Sequence, residues 1–296
     1  MSHRDHMIKG ILCGIAAFFM LSVMNVFAKL LSENHHVIEI AFYRNLIATL
    51  PFIFMIVVMK KREIMKINSR PKAIIARAVI GTISLVVTFA AFAAMPMADT
   101  SAFLFTTSLL IPVLGYFFLK EKVGIYRWGA VCIGFIGVII MLNPTGAVNV
   151  VGVSLALSAA LMHAVLGIIL RYLGKTEKPE TITFYFVAIG VLIAGIPLPW
   201  LAVMPTLNEV PLFLGVGLSG LFAQYLLSIA FGNAPAAVVT VFNYSSIIWA
   251  TAFGWFIWMD WPTQSIWIGG TIVIASNIFI VWRESRSDKE AKKQSS

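Results

Sequence analysis

The sequence predicts an all-α integral membrane protein of ten transmembrane helices, arranged as two inverted five-helix repeats, and three observations lead there. Hydrophobic residues make up 59% of the 296, charged ones only 12%, and the mean hydropathy is +0.90. So little polar surface cannot clothe a water-soluble core, and lipid must be the solvent for most of the chain. The apolar residues come in runs of about 20, enough to cross about 30 Å of hydrocarbon as helix, with short connections between them. Finally, the chain matches itself when shifted by 139 residues.

Taken in order, the first half supplies spans at 10–31, 37–59, 73–94, 98–119 and 124–142, and the second at 151–173, 181–203, 210–231, 236–258 and 265–283. The first run lacks an A-x-A cleavage site, so it reads as a retained helix and not a signal peptide. Breakers stand at or near the proposed ends, among them Pro71, Pro96, Pro144, Pro179, Pro205, Pro235 and Pro262. Pro51, Pro112, Pro197 and Pro199 fall inside spans and imply kinks. The organisation is therefore a first repeat at 8–142, a second at 151–283 and a basic tail at 284–296.

Of the 22 Lys and Arg residues, all but Lys29 and Arg44 fall on one side of the membrane when the N-terminus is placed in the cytoplasm. Lys60, Lys61, Arg70, Arg77 and Lys178 are counted there, whereas 32–36, 95–97, 143–150, 204–209 and 259–264 hold no Lys or Arg. The net charge of +9 thus reads as orientation in a membrane, with both termini cytoplasmic, and not as nucleic-acid binding. Cys13 and Cys132 lie singly in apolar runs, which supports neither a disulfide framework nor a metal site.

The self-match is gapless over 91–128 against 230–267: Pro96 meets Pro235, Gly115 meets Gly254, Phe117 meets Phe256 and Trp128 meets Trp267. A shift of 142 pairs Gly10 with Gly152, Lys29 with Arg171 and Phe42-Tyr43 with Phe184-Tyr185. Five spans is an odd number, so the second copy enters from the opposite side and the halves are inverted about an axis in the membrane plane. Such repeats build alternating-access carriers, and channels use them too.

Ionisable side chains are costly in hydrocarbon, so those inside spans are candidates for function. Lys29, Glu39, Arg44 and Asp99 qualify. Arg44 lies about 10 Å into its span at 1.5 Å per residue, with Phe186 at its repeat-equivalent place. Its planar fork suits a substrate carboxylate, and a structural ion pair with Glu39 or Asp99 is the competing reading. Lys29 is near enough to its helix end to snorkel to the headgroups. Glu39, Asp99 and His163 are the candidates for carrying a coupling proton, against helix capping, salt bridging or plain hydrogen bonding. Asn25, Thr106, Thr107, Gln224, Asn243 and Ser245 are polar groups that a midplane cavity would use, or that would bond neighbouring helices. Phe42, Tyr43, Phe103, Tyr225, Phe242, Tyr244 and Trp249 would offer ring faces to a flat or cationic ligand. Gly215, Gly217 and Gly220 would let the eighth span bend.

The Phe42-Tyr43-Arg44 segment, Pro96-x-x-Asp99-Thr100-Ser101, and the run Gly115 to Lys122 leading into Trp128-Gly129 resemble the drug/metabolite transporter superfamily in its ten-helix EamA-type branch. The likeness covers about 8–283, with Glu121 at the place of a common family Glu and Asp260 there in the second copy. Glu39-x-x-Phe42-Tyr43-Arg44 and Arg283-Glu284-Ser285-Arg286 are most similar to the S-adenosylmethionine and riboflavin uptake group. The resemblance implies a secondary carrier for a small organic metabolite in the bacterial inner membrane, with an exporter of amino acids or other metabolites as the alternative. A channel and a lipid-acting enzyme are the readings from other classes. No GxSxG, Walker A or HExxH motif is present, so no catalysis, cofactor or metal is expected. The expected partners are the substrate and membrane lipid.

Overall fold

A computed structural model describes residues 3–119, 124–142, 149–174, 176–233 and 242–294, and every regular element among them is helical. In chain order these are α1 (His3–Leu31), α2 (Val37–Val57), α3 (Pro71–Ala94), α4 (Met97–Leu104), α5 (Thr106–Leu119), α6 (Ile125–Met141), α7 (Val150–Leu173), α8 (Pro179–Gly195), α9 (Leu198–Leu201), α10 (Val210–Asn233), α11 (Ser245–Trp258) and α12 (Gln264–Gln294). Short 3-10 turns occupy Arg62–Met65 and Phe242–Tyr244. Among the described residues six stretches are long and apolar enough to cross a membrane: Met7–Leu31, Val37–Val57, Pro71–Ala94, Met97–Phe117, Val150–Leu170 and Val210–Leu227. Trp128–Met141, Pro179–Gly195 and Gln264–Ile280 are shorter apolar helices.

The helices start where their first-turn amides are provided for. Proline opens α3 and α8, where its missing N–H has no partner to lose. The His36 ring accepts the Ile38 amide at α2, and the Asn149 side chain accepts the Gly152 amide at α7. Inside the helices hydroxyls bond back to their own backbone, as Thr49 does to the Asn45 carbonyl (2.7 Å) and Thr88 to that of Ser84 (2.7 Å). A hydroxyl satisfied this way can sit in an apolar bundle.

Two layers of packing hold the bundle together. Ala156, Ala159, Ala160 and Ala164 make α7 small on its buried face, and there it meets α3, α4 and α5. Glycines do the same on α10: a Cβ on Gly215 would meet the Phe27 ring at 2.7 Å, and one on Gly217 would meet Ile47 at 2.5 Å. The sequence suggested bending at these glycines, but α10 is one helix from Val210 to Asn233, and the glycines let α1 and α2 approach it closely. On the far side α6 and α12 cross backbone to backbone, a Gly137 Cβ lying 2.7 Å from the Gly269 carbonyl. Gly137 also faces Ile272 while Gly269 faces Met141, so the two helices run antiparallel.

One expected bound is corrected, that of the seventh span. The fourth span is found as one apolar stretch, Met97–Phe117, with a local irregularity between α4 and α5 at Phe105, whose amide is shared between the Ser101 and Ala102 carbonyls (3.3 and 3.2 Å). The seventh ends at Gly195, because Pro197 and Pro199 lack the amides to continue it, and the short α9 follows. The helix of the last span, α12, continues into the charged tail as far as Gln294. Glu121, Pro144 and Pro235 lie outside the described residues.

Candidate functional site

On α2, Arg44, Ala48, Pro51, Phe52 and Met55 recur at helical spacing and present one face. That face looks onto Thr183, Phe186 and Val187 of α8, and onto Gly220, Gln224 and Tyr225 of α10, around a cavity of about 550 Å³. Arg44, Phe186 and Gly220 are at its deep end. Met55, Pro179 and Ile229 are near the helix ends, where a second hollow of about 410 Å³ begins. The two share Met55 and Glu180, and the second adds Lys60, Lys61 and Lys178. An apolar cleft with a few convergent polar groups is the usual form of a small-molecule site.

Arg44 is 5% exposed, although a charge at such depth costs about 3 kcal/mol on insertion scales. Its Nη1 donates to the side-chain Oδ1 of Asn45 (2.8 Å), its Cζ lies 5.5 Å from the centre of the Phe186 ring, and its Nε has no hydrogen-bond partner among the described residues. Gly220 makes room, since a Cβ there would come 3.0 Å from that Nε. Neither Glu39 nor Asp99 pairs with it. Glu39 is wholly buried against His35 (Oε2 to Nδ1, 3.1 Å) and accepts the Val203 amide (3.3 Å). Asp99 lies in the fields of Asp260 and Lys29. Lys29 donates to the Met95 carbonyl (2.7 Å), lies over the Trp258 ring (4.9 Å) and stands 3.9 Å from Asp260, so it is held within the protein.

Arg77, assigned from sequence to the basic surface, turns inward. Its Cζ lies 4.4 Å from the Phe186 ring and its Nε and Nη1 are buried without partners. A Cβ on Gly81 would collide with Nη1 and come within 2.9 Å of the ring, so that glycine makes the space for the guanidinium. The charge was legible, four residues into the proposed third span. It was masked by the run of basic residues just before it.

The other named residues are dispersed. Gln224 and Tyr225 line the cavity with Arg44. Phe42 packs on Gly195, and Tyr43 on Phe213 (4.6 Å between ring centres). Phe103 is in the core around α4 to α7, Thr107 donates to the Ala160 carbonyl (3.2 Å), and Tyr244 meets the Phe105 ring at 5.2 Å. Trp249 stacks edge-on with Phe19 (5.0 Å), and its Nε1, like the Asn25 Oδ1, is buried with no partner. Asn243 lies in the 3-10 turn before α11. His163 is 3.5 Å from the Thr88 hydroxyl and within the field of Arg77.

Each end of the bundle carries a strap. At one, the His35 Nε2 stands 3.2 Å from Glu209, which also accepts from the Thr206 amide (2.8 Å) and hydroxyl (2.7 Å). Those Thr206 bonds first, and His35 after them, draw the Glu209 carboxyl down to about 2. At the other end, the Glu177 carboxylate accepts the amides of Asn68 (2.9 Å), Ser69 (2.8 Å) and Arg70 (3.0 Å), led by Asn68, which hold it below the usual carboxylate range. Lys178 reaches Glu63 (2.6 Å) beside it.

Comparison with known proteins gives consistent likenesses. The model of the EamA-like transporter family matches twice, over residues 8–143 and 150–282. The chain is 28% identical to the pseudopaline exporter CntI of Pseudomonas aeruginosa, over 93% of this chain and 96% of that one. It is 29% identical to a riboflavin transporter of Rhizobium johnstonii (73% and 72% covered) and 28% identical to an S-adenosylmethionine uptake transporter of Rickettsia bellii (91% and 94%). A solved crystal structure, 13% identical, shares the fold with a TM-score of 0.65 over 96% of this chain and 99% of that one.

Proposed function

The chain belongs to the EamA-like transporter family, and on that premise we propose that it is an alternating-access secondary carrier with ten spans in two inverted halves, 8–142 and 151–283. It is a small-metabolite transporter and not an enzyme. The observation that carries the finer reading is the cavity, which ends within the bundle on a buried, unpaired Arg44 and continues at the other end into a lysine-rich hollow. In a bacterial inner membrane with both termini in the cytoplasm, that is a site reached from inside and closed toward outside.

The repeat is supported by the packing. Counted by span, α1 against α10 has its counterpart in α3 against α7, and α3 against α8 in α10 against α2. Residues at equivalent positions touch each other, Arg44 with Phe186 and Phe105 with Tyr244, as a two-fold axis between them requires. The antiparallel α6 and α12 agree with an odd number of spans per half.

Arg44 would hold an acidic group of the substrate, with Gln224 and Tyr225 orienting the rest. The relatives' names make S-adenosylmethionine and riboflavin the first probes, and the resemblance to an exporter favours efflux as the second reading. The test is uptake into proteoliposomes with S-adenosylmethionine, riboflavin, amino acids, nucleosides and dicarboxylates, with and without trans substrate. Saturable flux accelerated by trans substrate is expected. Flux that neither saturates nor shows counterflow would mean a channel.

A further inference from the structure

Phe186 carries two guanidinium groups, Arg44 at 5.5 Å and Arg77 at 4.4 Å from its ring, and each retains buried N–H groups with no acceptor. No carboxylate among the described residues forms an ion pair with either. Glu39 is taken by His35 at one end of the bundle, and Asp99 lies with Lys29 and Asp260. Glu180 lines the mouth of the cavity, six residues and about 9 Å along α8 from Phe186, where Lys178 faces it. The nearest further ionisable group on α7, His163, adds no negative charge. An arginine cannot shed its proton, so two charges share a low-dielectric site with no counter-ion among the described residues. They feel each other, so an anion docked on Arg44 lies in the field of Arg77 as well.

We propose that the Arg44 and Arg77 pair selects a small organic dianion, its doubly charged end at the deep end of the cavity and its apolar body along Phe52, Phe186 and Phe222. Taking the cavity as the substrate site, this sets the substrate apart from riboflavin, which is neutral, and from S-adenosylmethionine, whose sulfonium and ammonium groups outweigh its one carboxylate. A monoanion neutralises one guanidinium and leaves the other uncompensated; a dianion neutralises both.

The test uses phthalate and benzoate, which share a ring and differ by one carboxylate. Their binding to the purified full-length protein in phosphatidylcholine nanodiscs is followed by tryptophan fluorescence. Phthalate is expected to bind at least about tenfold tighter than benzoate. Arg77→Gln should bring the two to within about twofold by weakening phthalate far more than benzoate, and Arg77→Lys should retain the preference because it keeps the charge. A purely structural Arg77 would weaken both ligands alike and leave their ratio unchanged, which overturns the proposal. So do the absence of phthalate binding and tighter binding of benzyltrimethylammonium. Displacement of phthalate by phosphatidic acid in the nanodisc also overturns it, by making a lipid headgroup the occupant. Should Arg77→Gln not fold, the ratio is read in Gly81→Ala, whose methyl group displaces the same guanidinium. Carrier flux of another substrate, without dianion preference, would leave the transport reading standing and sink this one. Dianion binding without flux would do the reverse.

Discussion

At the scale of single residues the proposed site turns on an arginine with no acidic partner among the described residues. Among the described residues, removing Arg44 breaks no ion pair and frees one side-chain hydrogen bond, to Asn45. The variant Arg44→Ala is therefore expected to keep a folded protein, with a thermal midpoint equal to or above that of the parent, while transport falls to background. Arg44→Lys should lose about tenfold or more in binding, because an ammonium group on a flexible stem cannot reproduce a planar fork. Scintillation-proximity binding alongside thermal unfolding checks both, and normal binding by a stable Arg44→Ala protein would remove Arg44 from the site. The depth of the charge was readable from the sequence alone, since an Arg within an apolar run announces itself. Its relation to Phe186 was visible only as an alignment of two positions, and contact between them needs the two helices to face each other.

At the scale of elements, the straps tie the connections of one half to the helix starts of the other. His35 joins the α1–α2 connection to the start of α10, and Glu177 joins the α7–α8 connection to the start of α3. Under the proposed repeat these are equivalent places at opposite ends of the bundle, suited to open in turn as the cavity changes sides. Their chemistry differs, a carboxylate on a histidine and a threonine at one end and a carboxylate on three backbone amides at the other. Glu209, with its carboxyl at about 2 against an ordinary 4.5, contributes stability above about pH 4.5 that is lost as pH falls toward 2. The parent should accordingly lose thermal stability across that window faster than Glu209→Gln, which begins lower at pH 7 and has less to lose. Unfolding curves of both proteins in detergent from pH 7 to pH 2.5 make the comparison, and parallel curves would show that the Glu209 strap contributes nothing.

At the scale of the whole molecule, the one-sided distribution of Lys and Arg carries a topology that labelling can check. Single cysteines in a background lacking Cys13 and Cys132 should resist a membrane-impermeant thiol reagent in intact cells when placed at Lys66 or Thr176. They should react at Asn208 or Thr263. Labelling at Lys66 from outside would reverse the proposed orientation, and with it the side from which the cavity is reached. The same cavity should become reactive at Thr183→Cys in inside-out vesicles, and substrate should protect it.

What the sequence determined by itself is the class of solvent, the positions of the apolar helices and the two-fold recurrence, because each follows from local composition and spacing. Lipid demands internally bonded helices, and runs of about 20 apolar residues can hardly be used otherwise. Tertiary structure alone decided what the charges inside the spans meet. Arg77 counts by sequence among the basic residues of the cytoplasmic side, yet the absence of a side chain at Gly81 lets its guanidinium reach the Phe186 ring. Glu39 and Asp99 looked like partners for Arg44, yet His35 and Lys29 stand nearer to them. Such choices depend on the rotation of each helix about its own axis and on the close approaches that glycine and alanine permit. A linear pattern holds the spacing of residues along one helix. It does not hold the direction in which that helix turns toward its neighbours.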